Sequence, residues 1–203
     1  MRHAILTILN SRYFIWALLA LPSLPMLIEL AAAESASGGG NAYEHLIHES
    51  GEFSARFLIV SLAITPLKML MPRSAFWRWM LRRRRYFGVA AFCYAAFHLM
   101  VYLVDTGSLS AVLGEALQFG IWTGWLALFV FIPLAITSND FSVRMLGPKW
   151  KVLHRAVYVA AVATVLHWVF ASNAAGGAIV HFLPLALLEG FRIYRRVAMR
   201  RPA

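Results

Sequence analysis

Cysteine and charge are both scarce in this chain. Cys93 is the single cysteine among 203 residues, so an intrachain disulfide is excluded and the compartment cannot be argued from pairing. Charged side chains make up only 14% of the residues and fall in clusters, whereas 61% of the residues are hydrophobic. A soluble domain is nearer to half apolar, so this composition favours a membrane protein.

Long apolar runs lie between the charge clusters. Each run covers about 17–20 residues, enough for a helix to cross the hydrocarbon layer of roughly 30 Å. Backbone groups in lipid need partners within their own segment, so the runs predict helices. The predicted fold is an all-α polytopic membrane helix bundle forming one domain over 1–203. Its six spans are expected at about 13–31, 53–71, 86–104, 119–137, 152–171 and 178–194. Kinks are expected at Pro22, Pro25, Pro66, Pro133 and Pro184.

Basic residues gather on one side of this six-span arrangement. The net charge is +10, and 18 of the 19 lysines and arginines flank the same ends of the spans, with Arg56 as the exception. Positive residues stay in the cytoplasm, so both termini are expected there. A soluble protein of this charge could bind nucleic acid. Beside apolar spans the charge is an orientation signal, and no nucleic-acid partner is expected.

The first span admits a second interpretation. Arg2 and Arg12 resemble the basic region of a signal peptide, and residues 31–33 resemble its cleavage site. The apolar stretch is longer than in most signal peptides and carries Glu29, which favours a retained span. Cleavage would leave the orientation of the later helices unchanged.

Residues 35–52 predict a flexible outer loop. His45 and His48 have a helical spacing that can bind a metal, but no third ligand is evident in the sequence. Two separate surface histidines are therefore favoured over a metal site.

The segment TSNDFSVRMLGPKWK, residues 137–151, predicts a short helix in a loop at the basic side. Ser138 or Asp140 is expected to cap it, Gly147 to end it and Pro148 to begin the next helix.

Two histidines lie inside the spans at similar depth. His98 follows Arg85 by 13 residues and His167 follows Lys151 by 16, so the rings lie about 20 and 24 Å from the cytoplasmic edge. A titratable ring in hydrocarbon is costly and marks a functional site. Neutral imidazoles at one height on two helices suit the two axial positions of a haem iron.

Small side chains flank these histidines, as a haem between helices requires. Ordinary small-residue helix packing explains such side chains without a cofactor, but the two matched histidines favour haem. The expected lining of the haem pocket is Tyr94, Tyr102, Ala160, Ala163 and Thr164.

Three other side chains have open assignments. His154 lies about 5 Å into its span and on a different face from His167. It is a candidate contact for a second haem, a propionate, a flavin or a quinone, and a structural hydrogen bond to the preceding loop is an equal alternative. His181 is expected to be packed or interfacial, and Cys93 to be an inert buried thiol.

Other classes of function remain as alternatives. A transporter with a histidine proton relay would carry structural histidines and no haem, but the spans lack the acids that such relays often use. A membrane metal oxygenase needs clustered histidines such as H-x-x-x-H, whereas the membrane histidines here are scattered singly.

Three segments resemble the MsrQ (YedZ) family, part of the ferric-reductase-like transmembrane group. They are RFLIVSLAITPLK (56–68), RRRRYFGVAAFCYAAFHLMVYLV (82–104) and TSNDFSVRMLGPKWKVLHRAVYVAAVATVLHW (137–168). The likeness covers about 55–170, and its L-G-x-x-W-x-x-L-H-R core at 146–155 is fairly specific.

The resemblance implies a haem-binding subunit of a periplasmic methionine sulfoxide reductase system in a bacterial inner membrane. It implies b-type haem held by His98, His154 and His167, with FMN as a further candidate cofactor. Electrons would come from the quinone pool or a cytosolic flavin reductase. They would leave to an MsrP-like molybdopterin reductase that repairs oxidised proteins.

Four cations are candidate contacts for haem propionates or a flavin phosphate: Arg82, Arg85, Arg144 and Lys149. They can equally be topology determinants only. The sequence given has no glycine-rich dinucleotide loop after its last span, so it is not expected to oxidise NAD(P)H by itself. An electron conduit with little chemistry of its own is therefore expected.

Overall fold

The structure, a computed structural model, describes residues 9, 11–35, 40–172 and 175–199, which form helices and no strand. In chain order the helices are α1 (Arg12–Ala20), α2 (Ser23–Ser35), α3 (Gly40–Leu70), α4 (Ala75–Thr106), α5 (Leu109–Glu115), α6 (Phe119–Ile136), α7 (Asp140–Leu146), α8 (Pro148–Leu153), α9 (Val157–Ala171) and α10 (Ala175–Ala198). A 3₁₀ turn, His154–Ala156, joins α8 to α9. The predicted all-α class is confirmed.

Five segments are long and apolar enough to cross a membrane: α3, α4, α6, α8 continued by α9, and α10. Helices α1 and α2, of 9 and 13 residues, pass the same test only as a pair, and they bend by 45° at a break that contains Pro22. The described chain therefore has five spans, or six with the bent pair. Pro66, Pro133 and Pro184 lie inside helices that continue past them.

Helix α3 extends well beyond the predicted second span. Its first residue is Gly40, so most of the expected outer loop is helical and that prediction is wrong; residues 36–39 lie outside the described part of the chain. The polar turns are stabilised by pairs four residues apart, such as His48 with Glu52 at 3.3 Å. Hydropathy marks only the part of a helix that lies in lipid, which is why the sequence did not indicate these turns.

Ion pairs and hydrogen bonds bring the arginine-rich helix ends together. Arg85 of α4 pairs with Asp140 of α7, and Arg195 of α10 donates to the carbonyl of Met69 at the end of α3, at 3.5 Å. We call this part of the bundle the basic end.

The opposite helix ends carry most of the acids, and we call this part the acidic end. His45 of α3 lies 2.9 Å from Glu29 of α2, and the Tyr102 hydroxyl of α4 donates to Glu115 of α5 at 3.1 Å. Nδ1 of His98 of α4 lies 2.8 Å from the Ile47 carbonyl of α3, so the α4–α5 connection and the first turns of α3 lie at the same end.

The core is built around α3, which packs against α2, α4, α9 and α10. Ala55 and Leu58 of α3 are buried beside Ala91 of α4, Ala160 of α9 and Phe182 of α10. Small residues at these contacts let the helix backbones approach closely.

The loop between α6 and α8 contains the predicted short helix, α7, but a different residue caps its N-terminus. Asn139 caps α7, since its Oδ1 accepts from the Ser142 backbone N–H at 2.8 Å. The expectation of Ser138 or Asp140 is wrong: the Ser138 hydroxyl donates back to α6, and Asp140 is already the first helical residue. Gly147 ends α7 with φ +51°, and Pro148 begins α8, as predicted.

Candidate functional site

A cavity of about 740 Å³ lies between α3, α4, α6 and α9. Its lining is mainly apolar, including Leu99, Leu128 and Phe131, and it reaches polar residues at the acidic end such as Asn41 and His48. A volume in this range accommodates a cofactor or drug-sized ligand.

His98 and His167 meet in this cavity. His98 comes from α4 and His167 from α9, and their ring centroids are 5.8 Å apart with an interplanar angle of 88°. The helices bring the two rings to one level, as the depth argument from the sequence expected.

Each ring is held by a backbone carbonyl of a neighbouring helix. Nδ1 of His98 donates to the Ile47 carbonyl of α3 at 2.8 Å, and Nδ1 of His167 donates to the Gly120 carbonyl of α6 at 2.8 Å. A carbonyl oxygen can only accept, so Nδ1 carries the proton in both rings. The Nε2 lone pair of each neutral imidazole is thus available to a metal ion.

The spacing of the rings suits one metal ion between them. A bond from imidazole nitrogen to a first-row metal is about 2 Å, so two imidazoles on opposite sides of one ion have centroids about 6 Å apart. The observed 5.8 Å lies close to this value.

Only part of the predicted pocket lining reaches the cavity. Thr164 and Tyr102 line it, together with Trp125 and Trp168. Tyr94 does not: its hydroxyl donates to the Leu19 carbonyl at 3.1 Å.

Ala160 and Ala163 are buried and are also absent from the cavity lining among the described residues. Ala160 instead packs in the core around α3. Spacing from one histidine assigns a helix face only coarsely, and Ala160 serves the contact between helices.

A second, smaller cavity of about 290 Å³ lies at the basic end. Its lining includes Arg82, Arg84, Arg85, Trp150 and His154. Arg85 is one of these lining residues, and its Nη1 is buried with no hydrogen-bond partner in the described part of the chain. Such a donor can bind an anionic group. Arg144 and Lys149 are exposed on α7 and α8 and are not among the residues that line this cavity.

His154 is held by its own surroundings. Its ring stacks on Trp150 with centroids 3.9 Å apart, and its Nε2 lies 3.0 Å from the Thr137 hydroxyl. This is the hydrogen bond to the preceding loop that the sequence left as one alternative.

The pair His45 and His48 does not form one site. His48 lies near Glu52, whereas His45 lies 2.9 Å from Glu29 and 3.7 Å from Glu49. These three groups, His45 and the two carboxylates, are close enough to hold a metal ion, an arrangement that the sequence did not indicate. Glu29 belongs to α2, and only the tertiary structure brings it to α3.

His181 and Cys93 lie outside the cavity lining described above. Nδ1 of His181 donates to the Gly177 carbonyl at 2.8 Å and its ring lies 5.1 Å from that of Trp168, so it is packed as expected. Cys93 is exposed on α4, and the expectation of a buried thiol is wrong.

Sequence reasoning missed the partners of the two cavity histidines. Ile47 and Gly120 act through backbone carbonyls, for which a sequence carries no direct signal. Gly120 and Gly124 do form a G-x-x-x-G pattern, which indicates a close helix contact in a membrane.

Comparison of the sequence with known proteins places the chain in a family. Residues 50–165 match the model of the family described as ferric reductase like transmembrane component. No solved structure matches the chain.

Similar curated proteins share one description, protein-methionine-sulfoxide reductase heme-binding subunit MsrQ. The protein of Rhizobium meliloti (strain 1021) is 38% identical over 190 residues, covering 92% of this chain and 86% of that protein. That of Azospira oryzae is 35% identical over 195 residues, covering 92% and 81%. That of Agrobacterium fabrum is 34% identical over 185 residues, covering 89% and 84%.

Proposed function

This chain belongs to the MsrQ family of ferric-reductase-like transmembrane proteins, and from this premise we propose that it is a haem-binding electron-transfer subunit of a protein-methionine-sulfoxide reductase system. The observation that carries the proposal is the pair His98 and His167, whose rings lie 5.8 Å apart in one cavity.

His98 and His167 are proposed as the axial ligands of one b-type haem. The residues fit the group: both rings have Nδ1 occupied by a carbonyl, and the cavity of about 740 Å³ is lined mainly by apolar side chains. Bound haem supplies a one-electron redox centre. The protein contributes oriented ligands and an apolar environment that limits water.

The smaller cavity is proposed to hold an anionic group of a second cofactor. Its volume of about 290 Å³ is less than half that of the larger cavity, which favours the FMN phosphate over a second haem. Arg82 and Arg85 line it and are the candidate contacts. His154 and Trp150 form the aromatic part of the wall. Arg144 and Lys149, being exposed, are proposed as topology determinants.

The two ends of the bundle suggest the direction of electron transfer. We assign the basic end to the cytoplasm and the acidic end to the periplasm of an inner membrane, because positive residues are retained in the cytoplasm. Electrons enter from the quinone pool or a cytosolic flavin reductase. They leave at the acidic end to an MsrP-like reductase, which performs the chemistry on the substrate.

An absorption spectrum of the purified protein tests the proposal. The oxidised and dithionite-reduced protein is expected to show the bands of a low-spin b-type haem. His98→Ala and His167→Ala are each expected to abolish them, because each variant removes one of the two imidazoles that would hold the haem. His181→Ala, which changes a histidine of α10 outside the cavity lining, is the matched control and keeps the spectrum.

Two outcomes contradict the proposal. A colourless wild-type preparation favours the alternative of a transporter or proton-relay protein with structural histidines. Full haem content in either His98→Ala or His167→Ala refutes that residue as a ligand.

A further inference from the structure

His98 and His167 each lie against a glycine of a helix that carries neither of these two residues. A Cβ built on Gly51 of α3 would lie 3.1 Å from Nδ1 and 3.2 Å from Cε1 of His98. A Cβ on Gly124 of α6 would lie 2.7 Å from Nδ1 and 2.8 Å from Cε1 of His167. Real Cβ atoms essentially never make contacts under 3.0 Å, so alanine at Gly124 requires the ring to move.

The same local arrangement occurs at both rings. The carbonyl that accepts from Nδ1 belongs to the residue four positions before the glycine: Ile47 before Gly51, and Gly120 before Gly124. A helical side chain leans toward the N-terminus and covers the preceding turn. Glycine at the later position therefore leaves the carbonyl of the earlier residue open to the imidazole.

Helix packing alone does not account for these two glycines. Gly120 is a glycine of the helix-packing kind, because a Cβ there would lie 2.9 Å from the backbone of Phe170 and Ala171 in the neighbouring helix. For Gly51 and Gly124, the three nearest heavy atoms all belong to a histidine ring. The space that the missing side chains leave is filled by the imidazoles.

We infer that Gly51 and Gly124 are positioning residues for the two axial histidines. By exposing the carbonyls of Ile47 and Gly120, they hold both imidazoles with Nδ1 protonated and with their planes nearly perpendicular. This inference rests on the proposed haem ligation by His98 and His167.

Two measurable properties of the haem-loaded protein follow. Axial imidazoles whose planes cross at 88° give a strongly anisotropic low-spin ferric EPR signal, whereas parallel planes give a rhombic one. A hydrogen bond from Nδ1 to a carbonyl makes the imidazole a more basic ligand, which stabilises the ferric state and lowers the midpoint potential.

The test compares three alanine variants of the purified holoprotein. Gly124→Ala and Gly51→Ala displace a ring, whereas Gly190→Ala is the matched control, because a Cβ there would meet no described atom within 4 Å apart from its chain neighbours and the backbone of its own helix. Haem content, the EPR line shape and the midpoint potential are measured for each. Gly124→Ala is expected to shift the EPR signal toward the rhombic type and to raise the potential. Gly51→Ala is expected to do the same by less, and Gly190→Ala to match the wild type.

The readouts separate this inference from the proposed function. Wild-type protein without haem refutes the proposed function itself. A rhombic wild-type signal, or wild-type EPR and potential in a haem-loaded Gly124→Ala, overturns the inference while the ligation stands. If Gly124→Ala holds no haem, the milder Gly51→Ala decides: an unchanged EPR signal and potential there overturn the inference, and a shift in both supports it.

Discussion

Four histidines of the spans, His98, His154, His167 and His181, differ in the hydrogen-bond partners that hold their rings. Nδ1 of His98 and of His167 donates to another helix, whereas Nδ1 of His181 donates within its own helix. The Nε2 of His154 is already 3.0 Å from a hydroxyl. Only His98 and His167 combine an available Nε2 with a position on the wall of the larger cavity. The hydrogen-bond partners and the position of each histidine therefore identify the candidate ligands, which residue type alone does not.

The ion pair between Arg85 and Asp140 predicts a pH-dependent stability. The hydrogen bond from Arg85 holds the pKa of the Asp140 carboxyl below its usual 3.8. A carboxyl with a depressed folded-state pKa stabilises the protein above its unfolded pKa, and this stabilisation is lost as the pH falls through the folded pKa. The wild type should therefore melt above Asp140→Asn at neutral pH, with the difference shrinking below about pH 4.

Thermal unfolding in detergent between neutral pH and about pH 3 measures this difference. The effect is small, because Asp140 is exposed and water screens the pair. Asp105→Asn is the control, since Asp105 is also exposed and has no ion pair in the described structure. A difference that stays constant with pH contradicts the prediction.

Single residues at the two ends of α7 determine where this helix begins and ends. Asn139 satisfies the Ser142 N–H of α7, and Gly147 takes the positive φ that lets the chain turn into α8. Sequence reasoning found the helix, its end and the following proline, but chose the wrong cap. Three adjacent residues, Ser138, Asn139 and Asp140, can all cap a helix, so only the observed geometry distinguishes them.

Asn139→Ala should destabilise α7 by about 1 kcal/mol, because it leaves a helix N–H unsatisfied. Ser138→Ala is the neighbouring control and should cost less, since the Ser138 hydroxyl donates to the Leu134 carbonyl and caps nothing in α7. Melting temperatures of the two variants measure the difference. Equal melting temperatures would show that the cap contributes nothing to the stability of the fold.

The separation of charge along the bundle and the positions of the two cavities support the proposed direction of electron transfer, from the basic end to the acidic end. The basic end carries the smaller cavity with Arg82 and Arg85, and the larger cavity reaches Glu44 and His45 at the acidic end. In the proposed orientation, the larger cavity extends toward the periplasmic face, on the side of the electron acceptor.

Cysteine labelling in intact cells tests this orientation. In a Cys93→Ser background, Gln118→Cys at the acidic end should react with a membrane-impermeant maleimide. Lys149→Cys at the basic end should react only after the membrane is opened. Both positions are exposed, so access alone decides labelling. The reverse pattern would place the acidic end in the cytoplasm.

The sequence by itself determined the all-α membrane class of the protein, the rough positions of five long apolar helices, and the similar depth of His98 and His167. These follow from hydropathy, charge and a fixed rise per residue, which are local quantities. Only the tertiary structure decided which side chains line the larger cavity and that Glu29 contacts His45. It also decided that the carbonyls of Ile47 and Gly120 accept from the two histidines of the proposed haem site. Those facts depend on how each helix is rotated against its neighbours, and that rotation is set by contacts between residues far apart in the chain.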